Sequence, residues 1–364
     1  MPRALGRITG AAAALLAATA LGAAGQPGGA TFERSAASSE SSFASDAEPG
    51  ERGASDGPDG VPGGPGRPGG PKGFGGPGKK PGYEIAWYPS ASASGPGSKL
   101  AMVRNRLGVE TSVWSRDGNA IMASLDFDES HFSGAALLPQ TLRAFPTDLW
   151  KIEAGLKHMH RFSSGSSSML MLDIGTAGDR PFHSSRDLNY TVGGFYRKPV
   201  KNGRDSWMLG AIYSPLGPLD FPIPLVAYDW NPSARFHASI GIPFSMAWRP
   251  TDRLDLDLSL NPGGIDALGT YQWSHRLRTY GGYQNVSDQY FLSGRVAKKD
   301  EFFAIEQRLI VGLRRDLWNG VSLDLNGGYA FDRHFGEGHN EGNLHDRVNL
   351  DSSAFLGARL IWAF

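Results

Sequence analysis

The 364-residue chain has no cysteine, no net charge and no long apolar run beyond its first two dozen residues. The missing thiols exclude a disulfide framework, a thiolate metal site and a lipid-bearing lipoprotein cysteine. Its 36 basic and 36 acidic residues balance, so nothing points to nucleic acid as a partner. Mean hydropathy is −0.30, which excludes a bundle of membrane helices. The single apolar run, Ala11 to Leu21, follows Arg3 and Arg7 and precedes small residues. That order predicts a secretory signal peptide over 1–24, cleaved after Ala20 or Ala24. The run is too short to span about 30 Å of hydrocarbon.

Aromatic residues are nearly absent from the next stretch. Residues 25–81 are mostly Gly, Pro, Ser and Ala with scattered charges, and their only aromatics are Phe32, Phe43 and Phe74. Such a segment buries too little surface to offset its ordering entropy, so a disordered Gly/Pro/Ser-rich linker is predicted. Gly57, Gly60, Gly63, Gly66 and Gly69 keep a collagen-like register that breaks at Lys72. A triple helix needs glycine at every third position.

All nine Trp lie after this linker, and from residue 82 the dominant signal has period two. Trp150, Ile152, Ala154 and Leu156 share one face, with Lys151, Glu153, Lys157 and Arg161 opposite. Phe236, Ala238, Ile240, Ile242, Phe244, Met246 and Trp248 form one unbroken apolar face. Four leucines alternate with Arg253, Asp255, Asp257 and Ser259. Phe303, Ile305, Leu309, Val311 and Leu313 oppose Glu306, Arg308 and Gly312, and Asp324 lies on the polar side of the run from Val321. The runs approach the roughly 9–11 residues that cross a bilayer at a tilt. Trp150, Trp207, Trp248, Trp318 and Trp362 sit near run ends, as interfacial girdles do. Asn319-Gly320, Asp117-Gly118 and Asn202-Gly203 read as hairpin turns.

The fold class predicted is therefore all-β: a transmembrane, antiparallel, up-and-down β-barrel over 82–364. Strands are expected near 99, 119, 148, 168, 188, 205, 222, 235, 253, 266, 288, 301, 321 and 350. That makes about fourteen, or twelve if the proline-bearing segment at 222 and the weak one at 288 are dropped. On this count the loop 333–347 is external, but the long stretch 129–147 falls on the inner side, where short turns are usual. A miscounted early strand or a plug segment would account for it.

Catalytic chemistry is sparse. An outer-membrane phospholipase pattern would need His-x-Ser-Asn-Gly, and His183-Ser184-Ser185 lacks the Asn-Gly. His334, Glu337, His339, Glu341, His345 and Asp346 crowd one loop, and His158 and His160 share a strand face, but no spacing matches a fixed metal motif. No enzyme activity, metal or cofactor is expected. The candidate lumen-lining residues are Lys151, Glu153, Lys157, Arg161, Arg253, Asp255, Asp257, Glu306, Arg308, Arg314 and Asp324. Their signs balance, so they either line a pore or pair and fill it.

The last strand alternates strictly: Ala354, Leu356, Ala358, Leu360, Trp362 and Phe364 on one face. This resembles the C-terminal signal of bacterial outer-membrane barrels. Leu360, Trp362 and Phe364 would carry it to the barrel-assembly machinery, with outer-membrane lipids as the other partner. With the proline-rich break from Phe221 to Leu225 and the Asn-Gly hairpin, the chain resembles an uncharacterised family of bacterial outer-membrane β-barrel proteins, a domain of unknown function. The resemblance implies location and fold and supplies no catalytic residues. The function expected is a passive pore or small-solute channel. The alternative is a non-conducting structural or partner-binding barrel that acts through its outer loops.

Overall fold

The computed structural model describes residues 81–362 apart from 95–97, 202, 218–220, 262–263 and 319. The predicted signal peptide, the linker up to residue 80, and Phe364 of the assembly signal lie outside these residues.

Seventeen strands form one antiparallel sheet. They are β1 (Gly82–Ser92), β2 (Lys99–Arg116), β3 (Asn119–Gly134), β4 (Asp148–Arg161), β5 (Ser167–Gly178) and β6 (Leu188–Pro199). Next come β7 (Ser206–Tyr213), β8 (Ile223–Ser233), β9 (Phe236–Ile242), β10 (Phe244–Thr251), β11 (Leu254–Asn261) and β12 (Gly264–Ser274). The last are β13 (Leu277–Tyr290), β14 (Glu301–Trp318), β15 (Val321–Gly338), β16 (Val348–Leu350) and β17 (Ser353–Trp362). β1 pairs with both β2 and β17, so the sheet closes. β16 and β17 both pair with β15, as two pieces of one wall strand. The wall therefore has sixteen strands, an even number as in bacterial single-chain barrels.

Sixteen exceeds the twelve to fourteen predicted, and two differences account for it. β1 went unread, and the run from Phe236 to Trp248 is a hairpin. Ser239 faces Ser245, and Trp248 faces Phe236. Directly opposed residues share a face, and these pairs are separated by even numbers of positions. Alternation therefore runs through the reversal without a break. Gly241 makes the turn feasible: its φ is 149°, and a Cβ there would stand 2.0 Å from the Val226 carbonyl oxygen. The segment expected near 288 is the far end of β13, and the proline-bearing segment near 222 is a true strand, β8.

The missed reversal also removes the inconsistency at 129–147. With two strands in place of one, the loop 135–147 falls on the same rim as the loops 291–300 and 339–347. The opposite rim, where the chain enters β1 and leaves β17, carries short turns at 117–118, 234–235, 252–253 and 275–276.

The barrel is apolar outside. Ile310 is 8% exposed and its neighbour Val311 66%. Leu125, Leu156, Leu170, Leu172, Val192, Leu209, Leu309 and Leu356 are exposed in the same way. A belt of this kind is stable only against hydrocarbon. Trp207, Trp230, Trp248, Trp273 and Trp318 project outward near the terminal rim, while Trp150 sits at the other. Trp207 packs on Tyr228, Trp230 on Phe236 and Trp273 on Tyr271, which gives rigid amphipathic pairs at the interface.

The interior is divided. β5 and β13 stand eight strands apart in either direction round the wall. Nevertheless the Phe291 N–H donates to the Ala177 carbonyl at 2.8 Å, and Gly178 bridges Phe291. Asp179 accepts from the Ser293 N–H at 2.6 Å and from its hydroxyl at 2.7 Å. Arg295 reaches Asp187 at 2.9 Å. Opposite walls therefore meet near the loop-bearing rim. The half enclosed by β13–β17 and β1–β5 holds the main buried cluster, which includes Tyr88, Met102, Phe132, Leu149, Tyr290, Phe302, Phe335 and Phe355.

Candidate functional site: the packed half of the lumen

Two layers fill this half. Nearest the loop rim is an aromatic stratum. Phe145 from the loop 135–147 turns inward and packs edge-on against Phe132, Phe302 and Phe335, with centroids 5.1, 5.7 and 5.4 Å away. Leu138 of the same loop is buried. Polar tethers hold the loop in this position. Asp346 accepts from the Gln140 N–H at 2.6 Å, the Thr141 N–H at 3.1 Å and the Thr141 hydroxyl at 2.5 Å. Arg143 donates to Glu337, which is fully buried, and to the Gly294 carbonyl.

Burial alone would raise the Asp346 carboxyl. The hydrogen bonds from Thr141 and the Gln140 and Thr141 N–H groups outweigh it and hold the group below its ordinary 3.8. A lowered value means that the tether is at full strength above 3.8 and is lost as the pH falls through the lowered value. Amide exchange over 138–143, corrected for intrinsic rates, is expected to show protection at pH 6 that falls by pH 2. In Asp346→Asn protection should be low at both.

Beneath the aromatics lies an ionic stratum. Glu306 accepts from Arg308 Nε at 2.7 Å, Arg333 Nε at 3.3 Å and the Tyr88 hydroxyl at 3.0 Å. Tyr88 and Phe355 stack at 5.3 Å, with the Arg308 guanidinium over both rings and that of Arg333 over Tyr88. Beside them Arg104 pairs with Asp128 at 2.5 Å and Asp288 at 2.8 Å, and Arg106 with Asp128 at 2.7 Å. Arg104 and Asp288 sit on β2 and β13, which are not neighbours, so the pair crosses the interior.

The structure places the expected lining residues as follows. Glu306, Arg308 and Asp324 are buried on the inner face. Arg314 pairs with Asp324 at 2.7 Å, and Tyr280 donates to Asp324 at 2.8 Å. Lys157 pairs with Glu110 at 2.5 Å, and Lys151 with Glu153 at 3.5 Å; Glu153 also accepts from Asn189. Asp255 pairs with Arg249 at 2.6 Å, and Asp257 shares its inner face. Arg161 ends β4 exposed at the terminal rim. Arg253 is a correction: it lies in the turn between β10 and β11 and is exposed. A turn residue in register with a strand keeps the parity of its face, so alternation counted it as part of the strand.

Arg104, Arg106, Asp128, Asp288, Tyr88 and Arg333 escaped the sequence reading. Tyr88 belongs to the unread strand. Asp288 lies in the weakly patterned segment, and the bulge between Ile305 and Gln307 takes Arg333 out of simple alternation.

The strand pair His158 and His160 lies apart from the histidines of the loop rim. His158 and His160 point outward, and both rings approach the Asn119 side-chain oxygen, at 3.2 and 2.8 Å. At the loop rim Glu337 and His345 come together with Asp300, their ligand atoms within 4.8 Å of one another. Glu337 is ion-paired with Arg143 there and so also tethers the loop 135–147.

No protein-family model and no curated protein sequence matches the chain. Among solved structures it is similar to an outer-membrane channel from Pseudomonas putida F1, at 9% identity and a TM-score of 0.36, over 78% of this chain and 96% of that one. OccK7 (OpdD) of Pseudomonas aeruginosa gives 12% identity and 0.32 over 78% and 100%. The β domain of the Bordetella autotransporter BrkA gives 13% and 0.28 over 78% and 99%. The fold assignment rests on the closed strand ladder itself.

Proposed function

We propose that the protein is an outer-membrane channel that is closed at rest. The outward apolar belt and tryptophan girdle suit a bilayer, and the short turns at one rim with long loops at the other suit a periplasmic and an external face. The observation that carries the reading is the inward fold of 135–147 over an ion-paired stratum. The loop is held by the packing of Phe145 and Leu138 and by a few polar tethers whose loss would loosen it. A barrel built only as a scaffold needs no releasable plug. Charges of both signs under the plug suit small polar solutes over ions of one sign. Leu360 and Trp362 lie on the lipid side of β17, where assembly machinery can read them.

Planar-bilayer recording tests this with the full chain. The wild type is expected to show rare, small steps. Deleting 138–143, which removes Thr141 and Arg143, should give frequent and larger ones. Steady wide conductance in the wild type would overturn the resting closure. Silence in both proteins would overturn the channel and favour a non-conducting, partner-binding barrel.

A further inference from the structure

Six buried side-chain polar atoms lack a hydrogen-bond partner among the described residues, and four share one patch of the inner wall. They are Asp229 Oδ1 on β8, His237 Nε2 and Ser239 Oγ on β9, and Ser245 Oγ on β10. Asp229 stands directly opposite Ser239, and Ser239 opposite Ser245. His237 precedes Ser239 by two residues and so shares its face. The four residues are 2%, 7%, 1% and 4% exposed. Buried polar atoms are nearly always satisfied, so four orphans on three adjacent strands call for an occupant.

The surroundings define the chemistry of that occupant. Asn231 Nδ2 donates to the Arg204 carbonyl at 2.9 Å, which turns the amide oxygen toward His237 Nδ1 at 2.6 Å. Nδ1 then carries the proton, and Nε2 presents a bare lone pair. Asp229 Oδ2 is held by the Ser206 hydroxyl at 3.0 Å and by Arg197 Nε at 3.1 Å. Oδ1 is left bare in the same way. An imidazole and a carboxylate that each present an unshared pair suit direct metal ligation, and Asn231, Ser206 and Arg197 form the outer shell that orients them. The orphan atoms are buried from solvent, which leaves no room for a solute of several atoms. One nitrogen with oxygen ligands suits a zinc-class ion better than calcium or magnesium, which take oxygen alone.

We propose that the inner wall at β8–β10 holds a divalent transition-metal site. His237 Nε2 and Asp229 Oδ1 are its ligands, and the Ser239 and Ser245 hydroxyls complete the shell. The site is independent of the channel reading, because it lies in the wall and needs no conduction.

Equilibrium dialysis of the refolded full chain against micromolar Zn2+, with elemental analysis, reads the site. Co2+ substitution adds a visible spectrum. One ion that depends on His237 is expected, and His237→Ala and Asp229→Asn should each abolish it. Asn231→Ala should weaken it by about 10–100-fold through lost orientation. The double variant His158→Ala/His160→Ala, which removes the outward pair, should leave that ion bound. Heat-modifiable gel migration checks folding, and His237→Gln replaces any variant that fails it. A wild type that binds no ion, or an ion retained in folded His237→Gln, would overturn the site and assign the orphan atoms to water.

Discussion

Glu306→Ala is expected to destabilise the folded barrel by about 3–5 kcal/mol, because breaking a buried ion network leaves uncompensated charge. Glu306 is the only carboxylate among the described residues that accepts from Arg308, Arg333 and Tyr88 together. Its removal leaves two guanidinium groups against Tyr88 and Phe355 rings with no anion beside them. Glu306→Gln keeps an acceptor for Tyr88 and should lose less. Urea unfolding in lipid vesicles, followed by tryptophan fluorescence, measures both. Coincident midpoints for the wild type and Glu306→Ala would mean that water reaches the stratum and that the lumen is not filled there. An exposed pair such as Arg235–Asp252 is the control, with an expected effect of roughly 0–1 kcal/mol.

Gly178→Val should open the contact between opposite walls. A Cβ at 178 would stand 2.3 Å from the Phe291 carbonyl oxygen, and that oxygen is backbone, so the walls must separate. The Phe291-to-Ala177 hydrogen bond would lengthen first, followed by the tethers from Asp179 to Ser293 and from Asp187 to Arg295. Overpacking of this kind typically costs about 1–3 kcal/mol. The larger effect expected is functional: conductance should appear even with the loop 135–147 intact, since the two halves of the interior would merge. Gly165→Val is the control, because the nearest atom to a Cβ there is a proline side-chain carbon at 3.7 Å. Its positive φ of 78° adds local turn strain but no wall contact. Gly178→Val that unfolds no sooner and conducts no more than the wild type would show that the bridge does not divide the lumen.

Wall and belt were legible in the chain itself. Period two is a local property of extended backbone, so β4, β11, β14 and β17 could be read residue by residue, each with its apolar face. That face pointed outward, as the exposed Val311 beside the buried Ile310 shows. The inner polar face of Lys151, Glu153, Asp255, Glu306 and Asp324 followed from the same alternation. The strand number did not follow, because β1 went unread and alternation passes unbroken through the reversal at Gly241–Pro243. Only the pairing of Ser239 with Ser245 exposes that turn.

The packing of one half of the barrel interior was a tertiary decision. Sequence placed balanced charges inside but left open whether they line a passage or close it. The packing of that half required Arg104 to reach Asp288 across non-adjacent strands, and Asp346 to capture Thr141 some two hundred residues away. It also required β13 to touch β5 across the lumen. None of these has a local signature, because each depends on the curvature of a closed wall that brings distant strands face to face. Period two determined which side of each strand meets lipid. The closure of the sheet determined what those inner sides meet.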